Sequence, residues 1–247
     1  ASSREQRAPG TLSSEVNLVN GEVSRAFDIN PYSYALNTSR VLDPDEYYTR
    51  NYTSFNIFHE LANNYIDLNT HEFKIQGLLT YKPLAGLELN VLGAVKRASS
   101  TSEHNVTENS NQANAYRAMG NTIIRDSNPY LWTDPNDPYA VPVSVLPEGG
   151  IYDMTTYRMT SWDFRATVSY NTVLAKKHII NLFAGLESNE VRRSNNWSRQ
   201  WGREYEMGNI GKFDPSMFDK LSQEGSPYYS VGNGLERASA YFGNATY

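Results

Sequence analysis

The sequence predicts an all-β fold of antiparallel strands, and three observations carry that prediction. First, the stretch from Phe73 to Arg97 alternates apolar and polar residues on both sides of a four-residue turn, Pro83-Leu84-Ala85-Gly86. Side chains of a strand point to opposite faces with a period of two, and Pro and Gly mark tight reversals, so this is a hairpin with one apolar face. Second, the order strand, short turn, strand, long loop occurs twice along the chain. Third, there is no run of about 18 apolar residues, which excludes a transmembrane helix but not a barrel, whose strands need only about 9–11 residues.

Residues 1–50 read as irregular, with turn dipeptides at Pro9-Gly10, Asn20-Gly21, Asn30-Pro31 and Asp43-Pro44. A short helix is expected over 54–64, capped by Ser54 or Asn56, with Phe55, Phe58, Leu61 and Ala62 on one side. The first strand spans about 67–82. Phe73, Ile75, Gly77, Leu79 and Tyr81 oppose Lys74, Gln76, Thr80 and Lys82, with Leu78 as the exception. The second spans about 87–102. A long polar segment, 103–159, separates it from the third at 161–173, where Trp162, Phe164, Ala166, Val168 and Tyr170 alternate with Asp163, Arg165, Thr167, Ser169 and Asn171. "LAKKH" then turns the chain into a fourth strand, about 178–197, whose facing is blurred by Ile179 and Phe183. A second long loop, 203–234, leads to a fifth strand at 235–247. The chain stops inside that alternating pattern, and the expectation is an internal piece of a longer polypeptide.

Alternation by itself suits two architectures. The apolar face could meet lipid in a transmembrane barrel, or a second sheet in a soluble secreted β-sandwich that binds carbohydrate. The short turns fall at one end and the long loops at the other, which is the barrel arrangement. Tyr81 and Tyr170 near the short turns, with Trp162 and Tyr157 at the loop end, resemble the two aromatic girdles of such a barrel. Composition narrows the function classes. A net charge of −5 leaves no basic surplus for phosphate backbones, so no nucleic-acid partner is expected. The absence of cysteine removes disulfides and thiolate chemistry.

Four phrases carry a family resemblance: "INPYSYALNTSRVL" (Ile29–Leu42), the run from Phe55 to Leu89, "FAGLESNEVRR" (Phe183–Arg193) and "GNGLERASAYFGNATY" (Gly232–Tyr247). Their order and spacing resemble the barrel region of SusC/RagA-type TonB-dependent outer-membrane transporters of Bacteroidetes. The resemblance implies an all-β, antiparallel transmembrane β-barrel segment, part of a large plugged barrel, with long extracellular loops. Residues 1–66 would be an extracellular loop region with a short helix. Residues 67–247 would be barrel strands, with loops 103–159 and 203–234 outside and the plug and remaining barrel absent from this chain. The implied function is import of glycan fragments or peptides across the bacterial outer membrane. A SusD-like lipoprotein would be one partner and TonB, reached through the plug, another. On this reading Phe73, Leu79, Leu89, Phe164, Val168, Ile180 and Leu182 face lipid, and Lys74, Glu88, Arg165 and Glu187 face the lumen.

Signals for chemistry are sparse, and neither enzymatic activity nor a cofactor is expected. "HELAN" (His59–Asn63) lacks the second imidazole of the zinc motif H-E-x-x-H. No nucleophile elbow of the form G-x-S-x-G occurs. Two segments are candidate contact surfaces for substrate or partner. The loop Ser127–Pro142 combines Tyr130, Trp132 and Tyr139 with Asp134, Asn136 and Asp137, which reads as a sugar-stacking patch, a calcium loop or a self-packed loop. The segment Asn195–Gly208 sets Trp197 and Trp201 around Arg199, a cation–π arrangement at the mouth of a barrel or part of its upper girdle.

Overall fold

The computed structural model describes residues 1–9, 15–16, 23–24, 36, 48–50, 52–175 and 177–247. Most of the Ile29–Leu42 phrase and the turns at Asn20-Gly21, Asn30-Pro31 and Asp43-Pro44 lie outside the described residues. The strands are β1 (Ser2–Pro9), β2 (Glu15–Val16), β3 (Val23–Ser24), β4 (Tyr48–Arg50), β5 (Thr53–Phe55), β6 (Asn64–Leu84), β7 (Leu87–Val106), β8 (Gly150–Leu174), β9 (His178–Glu204), β10 (Ile210–Gly211) and β11 (Tyr229–Thr246). The helices that accompany them are α1 (Ile57–Asn63), α2 (Asn111–Ala115), α3 (Thr122–Ser127) and α4 (Ser216–Glu224).

One seven-stranded sheet dominates, in the order β1-β6-β7-β8-β9-β10, with β11 on the same edge of β9 as β10. Every pairing in it is antiparallel, and the sheet curls into half a barrel. β2–β3 and β4–β5 are separate two-stranded pairs. Among the described residues every other sheet has only two strands.

The strands are longer than their apolar alternation suggests. β8 has 25 residues and β9 has 27, and at about 3.3 Å per residue β8 spans roughly 80 Å. The additional residues lie on the loop side, in segments such as Ala98-Ser-Ser-Thr-Ser-Glu-His-Asn105 and Met154-Thr-Thr-Tyr157 that alternate poorly. Where both faces meet water, pairing needs no apolar side, and the period-two signal vanishes. The same reason conceals β1: Ser2–Pro9 pairs along Tyr65–Glu72 although its sequence is almost wholly polar.

At the opposite end the reversals are tight. β6 and β7 close through Leu84↔Leu87 around Gly86, which has φ +84. A Cβ there would collide with the Asn171 carbonyl, and the Gly86 carbonyl accepts the Asn171 N–H at 2.8 Å. Only glycine satisfies both conditions.

The buried core is not between sheet faces but among the loops. Val106, Ala113, Val145, Leu146, Ile151, Met217 and Leu221 form one cluster, with Tyr116, Trp132 and Trp201 packed on it. α1 adjoins this cap. Asn56 caps it, accepting from the N–H groups of Phe58 and His59 at 3.0 and 3.4 Å. Its inward side differs from the expected one: Ile57 and Glu60 are buried, while Leu61 and Ala62 are exposed. Glu60 takes the inner position because its carboxylate accepts from Asn64 Nδ2 at 3.0 Å and from the Asn111 N–H at 2.6 Å. A buried acceptor with two donors is tolerated where an unpaired one is not.

Candidate functional site

The register decides which side chains share a face. Reading across β6, β7, β8, β9 and β11, one row is Tyr81–Leu89–Val168–Ala184–Gly243 and the next Leu79–Val91–Ala166–Leu186–Tyr241. Further rows on this face begin at Gly77–Gly93–Phe164 and Ile75–Val95–Trp162, which turn polar on β9 and β11 at Ser188–Ser239 and Glu190–Arg237, and Leu87–Tyr170–Leu182 and Thr172–Ile180 lie on the short-turn side. All seven residues expected to face lipid therefore share one face. From Thr172 to Trp162 the band covers about 33 Å along the strand, or about 25 Å in height at a tilt of about 40°. Many of its members are exposed despite being apolar, Leu79 67%, Ile75 60%, Val95 48% and Tyr241 83%, while Leu89, Val168 and Ile180 are half-buried. An apolar expanse this size left open in a single chain marks a surface that something else must cover.

Lys74, Glu88, Arg165 and Glu187 share the other face. Arg165 lies directly opposite Glu187 and holds its Oε2 at 2.6 Å. Glu88 takes an ion pair from Lys82 at 2.9 Å and a hydrogen bond from Asn90 Nδ2 at 2.8 Å. Lys74 has no ion-pair partner among the described residues, and its cross-strand neighbour Lys96 is held by Glu72 at 2.9 Å. This face is not uniformly polar. Phe183 and Phe242 pack on it in a tilted pair with ring centroids 5.7 Å apart, and the Phe242 ring lies 2.5 Å from where a Cβ of Gly185 would be. That pair accounts for the blurred facing of the fourth strand: Phe183 rests on a ring from β11 and not on the apolar band.

Tyr157 departs from its expected place. Tyr81, Tyr170 and Trp162 lie on the apolar face, whereas Tyr157 sits one residue out of phase and on the opposite face.

Toward the loop end, the same polar-side face carries Trp197, Arg199 and Trp201 on β9 opposite Thr155, Asp153 and Ile151 on β8. The Arg199 guanidinium lies 5.6 Å from the Trp197 ring centroid and 5.3 Å from that of Trp201. It grips Asp153 with Nε at 2.5 Å and Nη2 at 2.7 Å, and His104 stands 3.8 Å from the same carboxylate. Burial alone would raise the Asp153 carboxyl, but hydrogen bonds from Arg199 and His104 hold it below the ordinary carboxylate value. His104 continues to Asn64 Oδ1 at 2.7 Å. Arg199 was legible as a cation between two aromatic residues of the same strand parity. Asp153 and His104 were not, because only the register across three strands brings them to it.

The residues of the Ser127–Pro142 loop divide. Tyr130 packs on Tyr116 at 4.9 Å, and Trp132 sits against the cap core. Asp134 and Asp137 turn inward on their own loop, accepting from the N–H groups of Asn136 and Tyr139 at 2.9 Å each. Asn136 is exposed, and Tyr139 is 91% exposed. The carboxylates thus serve as local turn acceptors, and no group of three or more metal-ligating side chains occurs among the described residues.

No family model matches the sequence, and no curated protein matches it. Solved structures do match the fold. The RagAB peptide transporter aligns with a TM-score of 0.55 at 16% identity, over 81% of this chain and 18% of that one. The RagAB peptide importer in its closed-closed state gives the same values, and in its open-open state a TM-score of 0.50 at 15% identity. The likeness is one of fold, to transporter chains of which this chain spans 18% of the length.

Proposed function

We propose that this chain forms part of the wall and outer mouth of a SusC/RagA-like, TonB-dependent importer in the bacterial outer membrane. One observation carries the reading. The register places an apolar band about 25 Å tall on one face of β6, β7 and β8, continued on β9 and β11 in its rows nearer the short turns, with tight turns at one end of the strands and a self-packed loop cap at the other. The fold likeness to RagAB chains agrees with it.

In this reading the apolar band faces lipid, and Lys74, Glu88, Arg165 and Glu187 line the lumen. The cap is the extracellular mouth, a bacterial outer-membrane counterpart of the girdle and loop arrangement. A SusD-like lipoprotein covers it, and Tyr139 and Asn136 at the loop tip and Trp197, Arg199 and Trp201 below are the side chains placed to meet partner or cargo. The cargo is a peptide or a glycan fragment, and the RagAB likeness favours the peptide. TonB acts through a plug, and both edges of the large sheet, β1 and β10–β11, are where further strands would pair.

The test is gel mobility of the outer-membrane fraction, heated and unheated, detected with an antibody to residues 205–230. A heat-shifted band much larger than this chain supports the reading. An unshifted band of the chain's own size in the soluble fraction overturns it.

A further inference from the structure

At the loop-side margin of the apolar band, on the same face, the side chains become cationic, beginning with Arg237 beside Glu190 in the Trp162 row. The row after Ile75–Val95–Trp162 is Phe73–Arg97–Thr160–Arg192, and the next is His71–Ser99–Arg158–Ser194. Arg237 joins from β11, opposite Glu190. Four guanidiniums thus gather on one face of four adjacent strands, which lie about 4.8 Å apart. Glu190 is the carboxylate among them. It is buried, and accepts from Arg192 Nε at 2.5 Å and Arg237 Nε at 2.6 Å. Both arginines reach it through Nε, which leaves their Nη ends directed elsewhere. Arg97 and Arg158 are exposed and have no carboxylate or hydrogen-bond partner among the described residues.

Two hollows flank this cluster and share Arg158 and Thr160. One, of about 690 Å³, is bordered by Phe73, His71 and Arg97; the other, of about 540 Å³, by Arg192, Asn233 and Leu235. Below them the wall is apolar, with Phe73 50% and Ile75 60% exposed. Cations above, hollows between and apolar wall below match the order of groups in an anionic lipid: phosphate, polar head, acyl chain. Guanidinium is the side chain suited to bidentate phosphate contact.

We propose that Arg97 and Arg158, with Arg192 and Arg237 held by Glu190, form a binding site for the phosphate of an anionic membrane lipid on the outer wall of the sheet. The proposal rests on the barrel reading, which sets this face against lipid. Lysine or arginine at a membrane surface gains about fivefold per charge. Glu190 positions two of the four and lowers the net charge, so the unpaired pair Arg97 and Arg158 supplies most of the attraction.

The test uses the native polypeptide that carries this chain, extracted from the membrane fraction in non-ionic detergent. Native mass spectrometry counts retained phosphatidylglycerol, with phosphatidylcholine as the neutral control and inorganic phosphate as competitor. R97Q/R158Q should retain phosphatidylglycerol roughly thirtyfold more weakly than the parent, while K74Q on the opposite face leaves retention unchanged. Inorganic phosphate at the same concentration should not displace the lipid, because it lacks the acyl chains that the apolar wall holds. Equal retention by R97Q/R158Q and the parent, both still heat-modifiable on gels, overturns this site and leaves the barrel reading intact. Full displacement by inorganic phosphate overturns the lipid as ligand in favour of a soluble anion. A parent protein found in the soluble fraction overturns both readings at once.

Discussion

The strand wall and the loop cap of this molecule obey opposite rules of burial. In the cap, Leu146 and Met217 are each 1% exposed and Val106 likewise, and the polar groups that loops leave over are matched locally. Arg117 donates to the carbonyls of Leu146 and Glu108 at 3.0 Å each, and Lys220 to that of Pro129 at 2.9 Å. In the wall, Leu79, Ile75 and Tyr241 on the apolar face are exposed by 60% or more, and the strands are held chiefly by backbone ladders and cross-strand pairs. The cap satisfies itself as a small soluble domain does. The wall satisfies its backbone but not its side chains, which is the division expected where lipid replaces water on one face and every N–H and C=O must pair inside the sheet.

That comparison can be broken most sharply in the cap. Leu146→Ala removes a fully buried side chain from the centre of the cluster and should cost about 2–5 kcal/mol. Limited proteolysis should then cut within 107–149 and 205–228 while the heat-dependent gel shift of the strands persists. Loss of the shift together with the loops would mean that wall and cap are one cooperative unit.

In the wall, Val168→Arg should cost about 2–4 kcal/mol if the band faces lipid, whereas Thr167→Arg, one residue away on the opposite face, should cost far less. Urea titration in detergent micelles or vesicles distinguishes them. Equal costs would mean that the two faces see the same solvent.

At the junction of the two regions, Asp153→Asn leaves Arg199 without its bidentate partner and should cost about 1–3 kcal/mol, read from thermal loss of Trp197 and Trp201 fluorescence order. The carboxyl is held below its ordinary value in the folded protein, so its contribution is present above about pH 4 and fades as the pH falls below that. Asp153→Asn should therefore flatten the acid limb of the stability profile below about pH 4.

The smallest effect belongs to the exposed wall pair Arg165–Glu187. Replacing either by alanine should change stability by no more than about 1 kcal/mol, and raised salt should abolish the difference. A larger change would show that this pair lies in a drier lumen than its exposure indicates.

The part of the molecule legible in the sequence is the part with a strict period. The hairpin around Pro83–Gly86 and the third strand from Trp162 to Tyr170 were legible because one face had to be apolar and the other was free to be polar. The two-faced assignment of Leu79 against Lys74, or Val168 against Arg165, follows from the same parity. The upper halves of β7 and β8 carried no such constraint and read as loop. β1 was hidden for the same reason. The helices α2, α3 and α4 were missed because each is short, from 5 to 9 residues, and the first two are set by a local cap: Ser110 accepting from the Ala113 N–H at 3.1 Å, Asn121 from the Ile124 N–H at 2.8 Å. In α1 parity even misled, since hydrophobicity favoured Leu61 inward, while the donors of Asn64 and Asn111 drew Glu60 in instead.

The sequence by itself determined the antiparallel β class, the facing of the central strands and the placement of short turns against long loops, because these depend on neighbours one or two residues apart. Only the tertiary structure decided where the core lies, that Asp153 and His104 meet Arg199, and that Arg97, Arg158, Arg192 and Arg237 from three strands and a fourth gather in one patch. Each of these depends on register between residues far apart in the chain, and register is set by the summed pairing of whole strands, which no local pattern records.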